Sequence, residues 1–234
     1  MKTILVIPTY NERDNIPELV DRLDRVREQA TFDVLFIDDN SPDGTHELIR
    51  SYMENYNWIS LIVRKNERGL GTALKRGYTE ALNRGYDVLI QMDSDLQHPP
   101  EIIPNLIEKV DKGFNAVIAS RYVQGGGIKG WSFSRRLVSK VANLYAKFML
   151  GLSVSDLTTG YRAYDREALK VLANHNFISK GYSLQVEALY LVKKAGLKIC
   201  EVPFTFVKRE RGKSKMGIRE IISFLINIYK VKKV

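Results

Sequence analysis

Val88-Leu89-Ile90-Gln91-Met92-Asp93-Ser94-Asp95-Leu96-Gln97-His98-Pro99-Pro100 is the stretch on which the reading of this chain turns. Val88, Leu89, Ile90 and Met92 make a short apolar run of the kind that forms a buried strand of a parallel sheet. Two aspartates one residue apart follow, then Gln97, and Pro99-Pro100 suits the opening turn of a helix. Carboxylates at the carboxyl end of a buried strand stand where open α/β sheets bind ligands. Two so close together repel, and a divalent cation is the simplest way to keep both ionised. Such a cation commonly retains open positions for substrate phosphates, so a nucleotide-diphosphate site is the first expectation.

Outward from that stretch, the first half alternates strand and helix patterns as βαβ units do. Strands are expected over Thr3–Ile7, Val34–Ile37, Ile59–Val63, Val88–Met92 and Ala116–Ala119. Helices are expected over Ile16–Val26, Thr45–Tyr52, Thr72–Asn83 and Pro100–Val110. Gly125-Gly126-Gly127 reads as a flexible loop. An amphipathic helix follows, with Leu137, Val138, Val141, Leu144, Tyr145 and Phe148 opposite Arg136, Lys140, Asn143 and Lys147. Strand-like Arg162–Tyr164, a helix over Ser183–Lys193 and strand-like Ile199–Val207 complete the body. The expected fold class is α/β, a Rossmann-like, mainly parallel sheet flanked by helices. One compact domain over 1–216 carries a C-terminal amphipathic segment over 217–234.

The 234 residues are 44% hydrophobic, enough for one large or two small cores. No run is long and apolar enough to span a membrane, and no signal peptide is expected. The single Cys200 excludes a disulfide framework and favours a reducing compartment. The formal charge of +9 suits nucleic acid, anionic lipid headgroups and phosphorylated substrates about equally.

Polar clusters fall at the end of every early strand: Pro8-Thr9-Tyr10-Asn11-Glu12, Asp38-Asp39-Asn40-Ser41, Arg64 through Gly71, and Asp93-Ser94-Asp95. Any one of them alone is ordinary turn and cap chemistry. Four at one edge of a parallel sheet converge on one crevice. There Asp39 suits a base or ribose hydrogen bond, and Arg68 suits phosphate. Gly125-x-Gly127-x-x-Gly130 matches the dinucleotide fingerprint only formally, because it lies in a loop after the fifth strand rather than opening the first βα unit. Lys208 through Lys215 holds five basic residues, which reads either as a solvated loop or as a flap over a pyrophosphate. Arg121, Arg135 and Arg136 offer a second anion site. The three histidines lack metal-ligand spacing, and no nucleophile elbow is present. The segment Gly217–Lys230 has apolar residues at helical spacing followed by lysines. It suits a helix docked on the core and one lying at an anionic membrane surface about equally.

With these clusters assembled, the chain resembles the family-two glycosyltransferases of the GT-A fold and, within them, the dolichol-phosphate (polyprenyl-phosphate) mannose synthases. The resemblance runs from Ile4 to about Met216. It is carried by Ile7-Pro8-Thr9-Tyr10-Asn11-Glu12, Asp38 through Thr45, Arg68-Gly69-Leu70-Gly71, Met92 through Pro99, Ser120-Arg121-Tyr122 and Asp156 through Arg162. It implies that Pro8, Tyr10, Glu12 and Asp39 hold the guanosine part of GDP-mannose, with Ile37 and Ser94 also among the substrate-binding positions. Asp93, Asp95 and Gln97 would bind Mg²⁺ or Mn²⁺. Arg209 and Lys215 would reach the donor phosphates, and Arg121, Arg135 and Ser139 would receive the phosphate of a polyprenyl or dolichyl phosphate. Asp95, Arg121, Arg209 and Lys215 are the expected catalytic set. Thr158-Thr159 and Tyr161 depart conservatively from the family pattern. Some relatives also continue into transmembrane helices that this chain lacks.

The implied reaction is a single inverting displacement. A phosphate monoester acceptor is already anionic and needs no general base, in keeping with the lack of a base-and-orienter pair. The resemblance further implies peripheral attachment at the cytoplasmic face of an anionic membrane, no nucleic-acid partner, and room for a small membrane-embedded partner subunit. A UDP-glucose donor is the neighbouring alternative. A basic nucleic-acid-binding domain is the non-enzymatic one, unsupported by any binding motif.

Overall fold

The computed structural model describes residues 1–207 and 218–233. In chain order the elements are β1 (Thr3–Thr9), α1 (Ile16–Arg27), β2 (Asp33–Asp38), α2 (Thr45–Met53), β3 (Ile59–Val63), α3 (Leu70–Asn83) and β4 (Val88–Gln91). A 3-10 turn, Pro100–Ile102, leads into α4 (Ile103–Asp111), β5 (Ala116–Ser120), β6 (Gly127–Lys129) and α5 (Phe133–Leu150). The chain continues through β7 (Arg162–Asp165), α6 (Arg166–Asn174), α7 (Tyr182–Lys194), β8 (Ile199–Pro203), β9 (Thr205–Val207) and α8 (Ile218–Val231).

Seven strands form one sheet in the order β3-β2-β1-β4-β7-β5-β8. All neighbouring pairs are parallel except those of β7, which runs antiparallel to both β4 and β5. Period-two alternation along β1 sends Leu5 and Ile7 to one apolar layer and Ile4 and Val6 to the other. Helices α1 and α4 close the first layer with Leu19, Leu23 and Leu106; α3, α6 and α7 close the second with Tyr78, Leu172 and Leu184. Each aliphatic side chain so buried contributes about 1.5–3 kcal/mol against leaving it in water. β1 has β2 on one side and β4 on the other, so the chain reverses direction across the sheet there. The resulting crevice lies off the carboxyl ends of β1, β2 and β4.

Three local expectations change. Gly125-Gly126-Gly127 is built into the fold: Gly127 opens β6, which pairs with β9 in a separate two-stranded sheet. A Cβ on Gly126 would lie 2.6 Å from the Ser120 carbonyl oxygen, so only glycine fits there. Gly126→Ala is therefore expected to lower stability by about 1–3 kcal/mol, the usual cost of overpacking; an unchanged thermal midpoint would contradict this packing. Ile199–Val207 is not one strand. It breaks at Phe204, whose ring turns into the core while β9 crosses to the second sheet. The third change is α6, which was not anticipated, although its signal is present. Asp165 caps it by accepting from the Ala168 amide (2.8 Å), and Ala168, Leu169 and Leu172 form its buried face.

Helix α8 docks on the body through Phe224, Ile228 and Val231, which join Ile118, Ala146, Leu150 and Leu189 in a third apolar cluster. It also leaves Ile222, Leu225, Ile226 and Tyr229 exposed. The docked reading of this segment thus holds for the face that meets α5 and β5. Among the described residues no helix is long and apolar enough to cross a membrane.

Candidate active site

The crevice holds a cavity of about 250 Å³ walled by Pro8, Tyr10 and Glu12 after β1, Asp39 after β2, and Asp93, Ser94 and Asp95 after β4. Four sequence-distant clusters thus meet because their strands are neighbours and parallel. Asp38, fully buried, ties the first two together. It accepts from the Thr9 hydroxyl (2.8 Å), the Ser41 amide (2.8 Å) and the Ser41 hydroxyl (2.6 Å), and Ser41 Oγ in turn accepts from the Asn11 amide (3.0 Å). Asp39 is fixed by Arg64, whose Nε donates to Oδ1 (2.7 Å), and by the Gly69 amide, which donates to Oδ2 (2.7 Å). Arg64 also donates to Thr72 Oγ1 (2.7 Å), linking β3 and α3 to the wall.

Among the described residues, Asn11, Asn40 and Leu96 are the non-glycine residues with φ between 55° and 62°. Each follows one of the strands that border the cavity. Asparagine tolerates that region, but leucine does not do so readily. Backbone strain of this kind tends to gather where a binding surface is over-determined by its surroundings.

The acidic loop is set by two contacts. The Gln97 amide donates to Asp95 Oδ1 (3.2 Å), and the Asp93 amide donates to His98 Nδ1 (3.0 Å). His98 can accept only as the neutral ring with its proton on Nε2. Burial pushes its pKa down to about 4 despite the raising influence of Asp95 and Asp156. The approach of Asp93 Oδ2 to the same nitrogen, at 3.7 Å, is therefore no ion pair at neutral pH. The ring stacks on Tyr161 (4.9 Å between centroids), and the Tyr161 hydroxyl donates to the Pro99 carbonyl (2.9 Å). His98→Phe keeps the stack and removes the acceptor. It is expected to leave the Asp93 amide unsatisfied at a cost of about 1–3 kcal/mol, and to weaken metal-dependent nucleotide binding more than nucleotide binding in chelator. Equal weakening in both conditions would refute a role in placing the loop.

Asp93, with its side chain 49% exposed, and Asp95 offer hard oxygen ligands at the cavity wall. Among the described residues no three His, Cys, Asp or Glu side chains are grouped to hold a metal alone. Two carboxylates suit a hard divalent cation that completes its shell with phosphate oxygens and water. Gln97 lies beside this wall, with Nε2 bonded to the Val207 carbonyl (3.3 Å).

Beyond His98, the Phe206 ring lies 6.4 Å from the imidazole and 5.6 Å from the Arg121 guanidinium. The Arg121 guanidinium makes two hydrogen bonds to Asp156 (Nε 2.6 Å, Nη2 2.7 Å) and one to Thr158 Oγ1 (2.9 Å). Burial disfavours both charges. The pair nonetheless overcomes it, holding Arg121 above and Asp156 below their ordinary pKa values. Arg121 opens onto an apolar cavity of about 330 Å³ between α5 and α8, with Trp131, Ser139, Val141 and Leu225 in its wall. Arg135 stacks on Trp131 at 4.0 Å, and Ser139 accepts from the Tyr122 hydroxyl (2.7 Å).

The sequence profile described as glycosyl transferase family 2 matches residues 4–173. The chain belongs to this family. It is 41% identical to the polyprenol monophosphomannose synthase of Mycolicibacterium smegmatis over 217 residues, 92% of this chain and 81% of that one. It is 40% identical to the undecaprenyl-phosphate mannosyltransferase of Micrococcus luteus over 229 residues, 97% of this chain and 93% of that one. In fold it is similar to the glucosyl-3-phosphoglycerate synthase of Mycobacterium tuberculosis, crystallised with Mn²⁺, UDP and glucosyl-3-phosphoglycerate. That match has a TM-score of 0.70 and 19% identity, covering 100% of this chain and 80% of the other. The mainly parallel sheet is thus the GT-A sheet, and the chain is a glycosyltransferase.

In this family-2 glycosyltransferase the expected donor residues Pro8, Tyr10, Glu12, Asp39, Asp93, Ser94 and Asp95 share one cavity, and Arg121 and Ser139 share another. Ile37 stands apart. Its side chain is fully buried in the core facing α3 and does not line the cavity. Gln97 borders the crevice without lining it. Arg209 and Lys215 lie outside the described residues. Arg64, Asp156 and His98, which orient the wall residues, were not assigned roles beforehand. Each is a buried polar residue that its neighbours in sequence do not explain, and only tertiary pairing shows the partner.

Proposed function

We propose that this glycosyltransferase moves mannose from GDP-mannose to a polyprenyl phosphate at a membrane surface. The observation that carries the acceptor assignment is the apolar cavity between α5 and α8 with Arg121 and Ser139 in its wall. The Arg121 guanidinium gives Nε and Nη2 to Asp156, which leaves Nη1 to donate to a phosphate oxygen, and an apolar channel beside it suits the first isoprene units. The names of the two relatives above, both acting on polyprenol or undecaprenyl phosphate, support the same class. The crevice at β1, β2 and β4 is the donor site in this reading, with Tyr10, Glu12 and Asp39 around the nucleoside. Mg²⁺ or Mn²⁺ held by Asp93 and Asp95, with Gln97 adjacent, would supply charge stabilisation for the departing diphosphate.

An acceptor phosphate oxygen attacks the anomeric carbon, the bond from that carbon to the diphosphate oxygen breaks, and GDP leaves. Arg121 orients the acceptor phosphate while Asp156 keeps the guanidinium aimed. No side chain need remove a proton, because a phosphate monoester arrives ionised. The donor assignment is tested by offering GDP-mannose and UDP-glucose separately with one short polyprenyl phosphate. Transfer from GDP-mannose is expected to dominate; robust transfer from UDP-glucose beside none from GDP-mannose would replace the mannose assignment.

A further inference from the structure

Helix α5 divides two cavities that share Arg121 and have opposite character. On the side away from α8 lies a groove of about 470 Å³ lined by Arg121, Arg136, Lys140 and Lys147 among polar and aliphatic neighbours, with no carboxylate in its wall among the described residues. The charge of Arg121 is balanced by Asp156, and Arg136 donates to the Ile128 carbonyl (2.9 Å). Among the described residues, Lys140 and Lys147 have no carboxylate partner. Their spacing of seven places both on one face of the helix. Three uncompensated cations gathered on a groove mark an anion site.

The neighbouring face of α5 identifies the source of that anion. Phe133 (81% exposed), Leu137, Val141, Leu144 (67%) and Phe148 (85%) form a continuous stripe. Helical geometry places this stripe directly opposite the buried Ser139, Asn143, Ala146 and Leu150. The apolar side of this amphipathic helix is therefore turned outward, with Leu137 and Val141 also at the rim of the acceptor cavity, and the cationic groove runs along its other edge. A soluble phosphate would satisfy the lysines and leave the stripe in water. A lipid bilayer satisfies both, since its acyl region takes the phenylalanines and its headgroups meet the cations.

We infer that the Arg136–Lys140–Lys147 groove is a binding site for the phosphodiester headgroup of an anionic glycerophospholipid, distinct from the acceptor cavity on the other side of α5. The inference rests on the reading that the enzyme works at a membrane, but not on which sugar it transfers. A headgroup held there would fix α5 in the interface with the acceptor cavity facing the same lipid layer.

The test uses the full chain and the double variant Lys140→Gln/Lys147→Gln. Binding is measured by co-sedimentation with phosphatidylcholine vesicles with and without phosphatidylglycerol. Transfer to a short acceptor phosphate in detergent reports on the fold and the chemistry. The variant is expected to lose roughly 30-fold in partitioning onto the anionic vesicles, about 1 kcal/mol for each lysine at such a surface, with transfer in detergent unchanged. Anionic vesicles should also protect Lys140 from amine acylation, read by mass spectrometry, where inorganic phosphate at equal concentration does not. Undiminished vesicle binding by the variant would overturn the site. Equal protection by free phosphate would overturn the lipid assignment. Absence of vesicle binding by the unmodified enzyme, with transfer in detergent intact, would overturn the site while leaving the reaction standing.

Discussion

Asp95→Asn is expected to lower kcat/KM for sugar transfer by roughly 10²–10³-fold, the range for removing one group that stabilises developing charge, while the protein stays folded. The substitution keeps an oxygen at the position where Asp95 Oδ1 accepts from the Gln97 amide, so the loop after β4 retains its local bond. It removes the negative charge. With Asp93 alone at the wall, a divalent cation bound there would have one anionic ligand instead of the proposed two. Two measurements separate this from misfolding: the thermal midpoint, which should move little, and GDP affinity with and without Mn²⁺. The wild type should gain affinity on adding metal and the variant should gain little. A variant whose GDP affinity rises with Mn²⁺ as the wild type's does would remove Asp95 from the metal site.

Asp156→Ala should have the largest effect on stability. Asp156 is fully buried and accepts three hydrogen bonds from Arg121, one from its amide (3.0 Å) and two from its guanidinium. Deleting it leaves a buried guanidinium without its counter-charge, which typically costs about 3–5 kcal/mol. For a chain of this length that corresponds to a fall in Tm of roughly 6–20 °C. The double variant Arg121→Met/Asp156→Leu removes both charges and should recover much of the loss, because a buried pair replaced by apolar groups is often neutral. It should not recover transfer, since the acceptor cavity would have lost its arginine. Recovery of stability and activity together would show that Arg121 is only structural. The pair also sets a pH dependence. Because the folded Asp156 pKa is depressed, its stabilisation is complete above the ordinary carboxylate value of about 3.9. It is lost only as the pH falls further, through the folded value.

The crevice at β1, β2 and β4 was legible in the sequence because its parts announce themselves locally. Apolar runs such as Ile4–Ile7 and Val88–Ile90 fix parallel strands, and polar residues right after them must lie at one sheet edge. Alternating strand and helix patterns then fix the layer architecture. What was not legible depends on who meets whom across the sheet. Nothing in the order of residues says that β7 enters antiparallel between β4 and β5, which brings Tyr161 beneath His98. Gly125–Gly127 looked mobile because glycine runs usually are. Only the approach of Gly126 to the Ser120 carbonyl, and the pairing of β6 with β9, show a packed connection. The sequence pattern of α5 shows an amphipathic helix, but periodicity cannot say which face meets the core, and Asn143, expected among the solvent-facing polar residues, is buried. The structure buries Ser139, Asn143 and Ala146 and turns the larger apolar side chains outward.

In the proposed reaction the acceptor brings its own negative charge to a crevice where a metal would assist departure of the diphosphate. The most direct measurement offers GDP-mannose with either a short polyprenyl phosphate or the corresponding free polyprenol, each in Mg²⁺ or Mn²⁺ and again in excess EDTA, and follows labelled mannose into the lipid fraction. Mannosylated product should appear with the phosphate and metal and be absent with the alcohol or with EDTA. Transfer to the free alcohol, or transfer undiminished by EDTA, would contradict it.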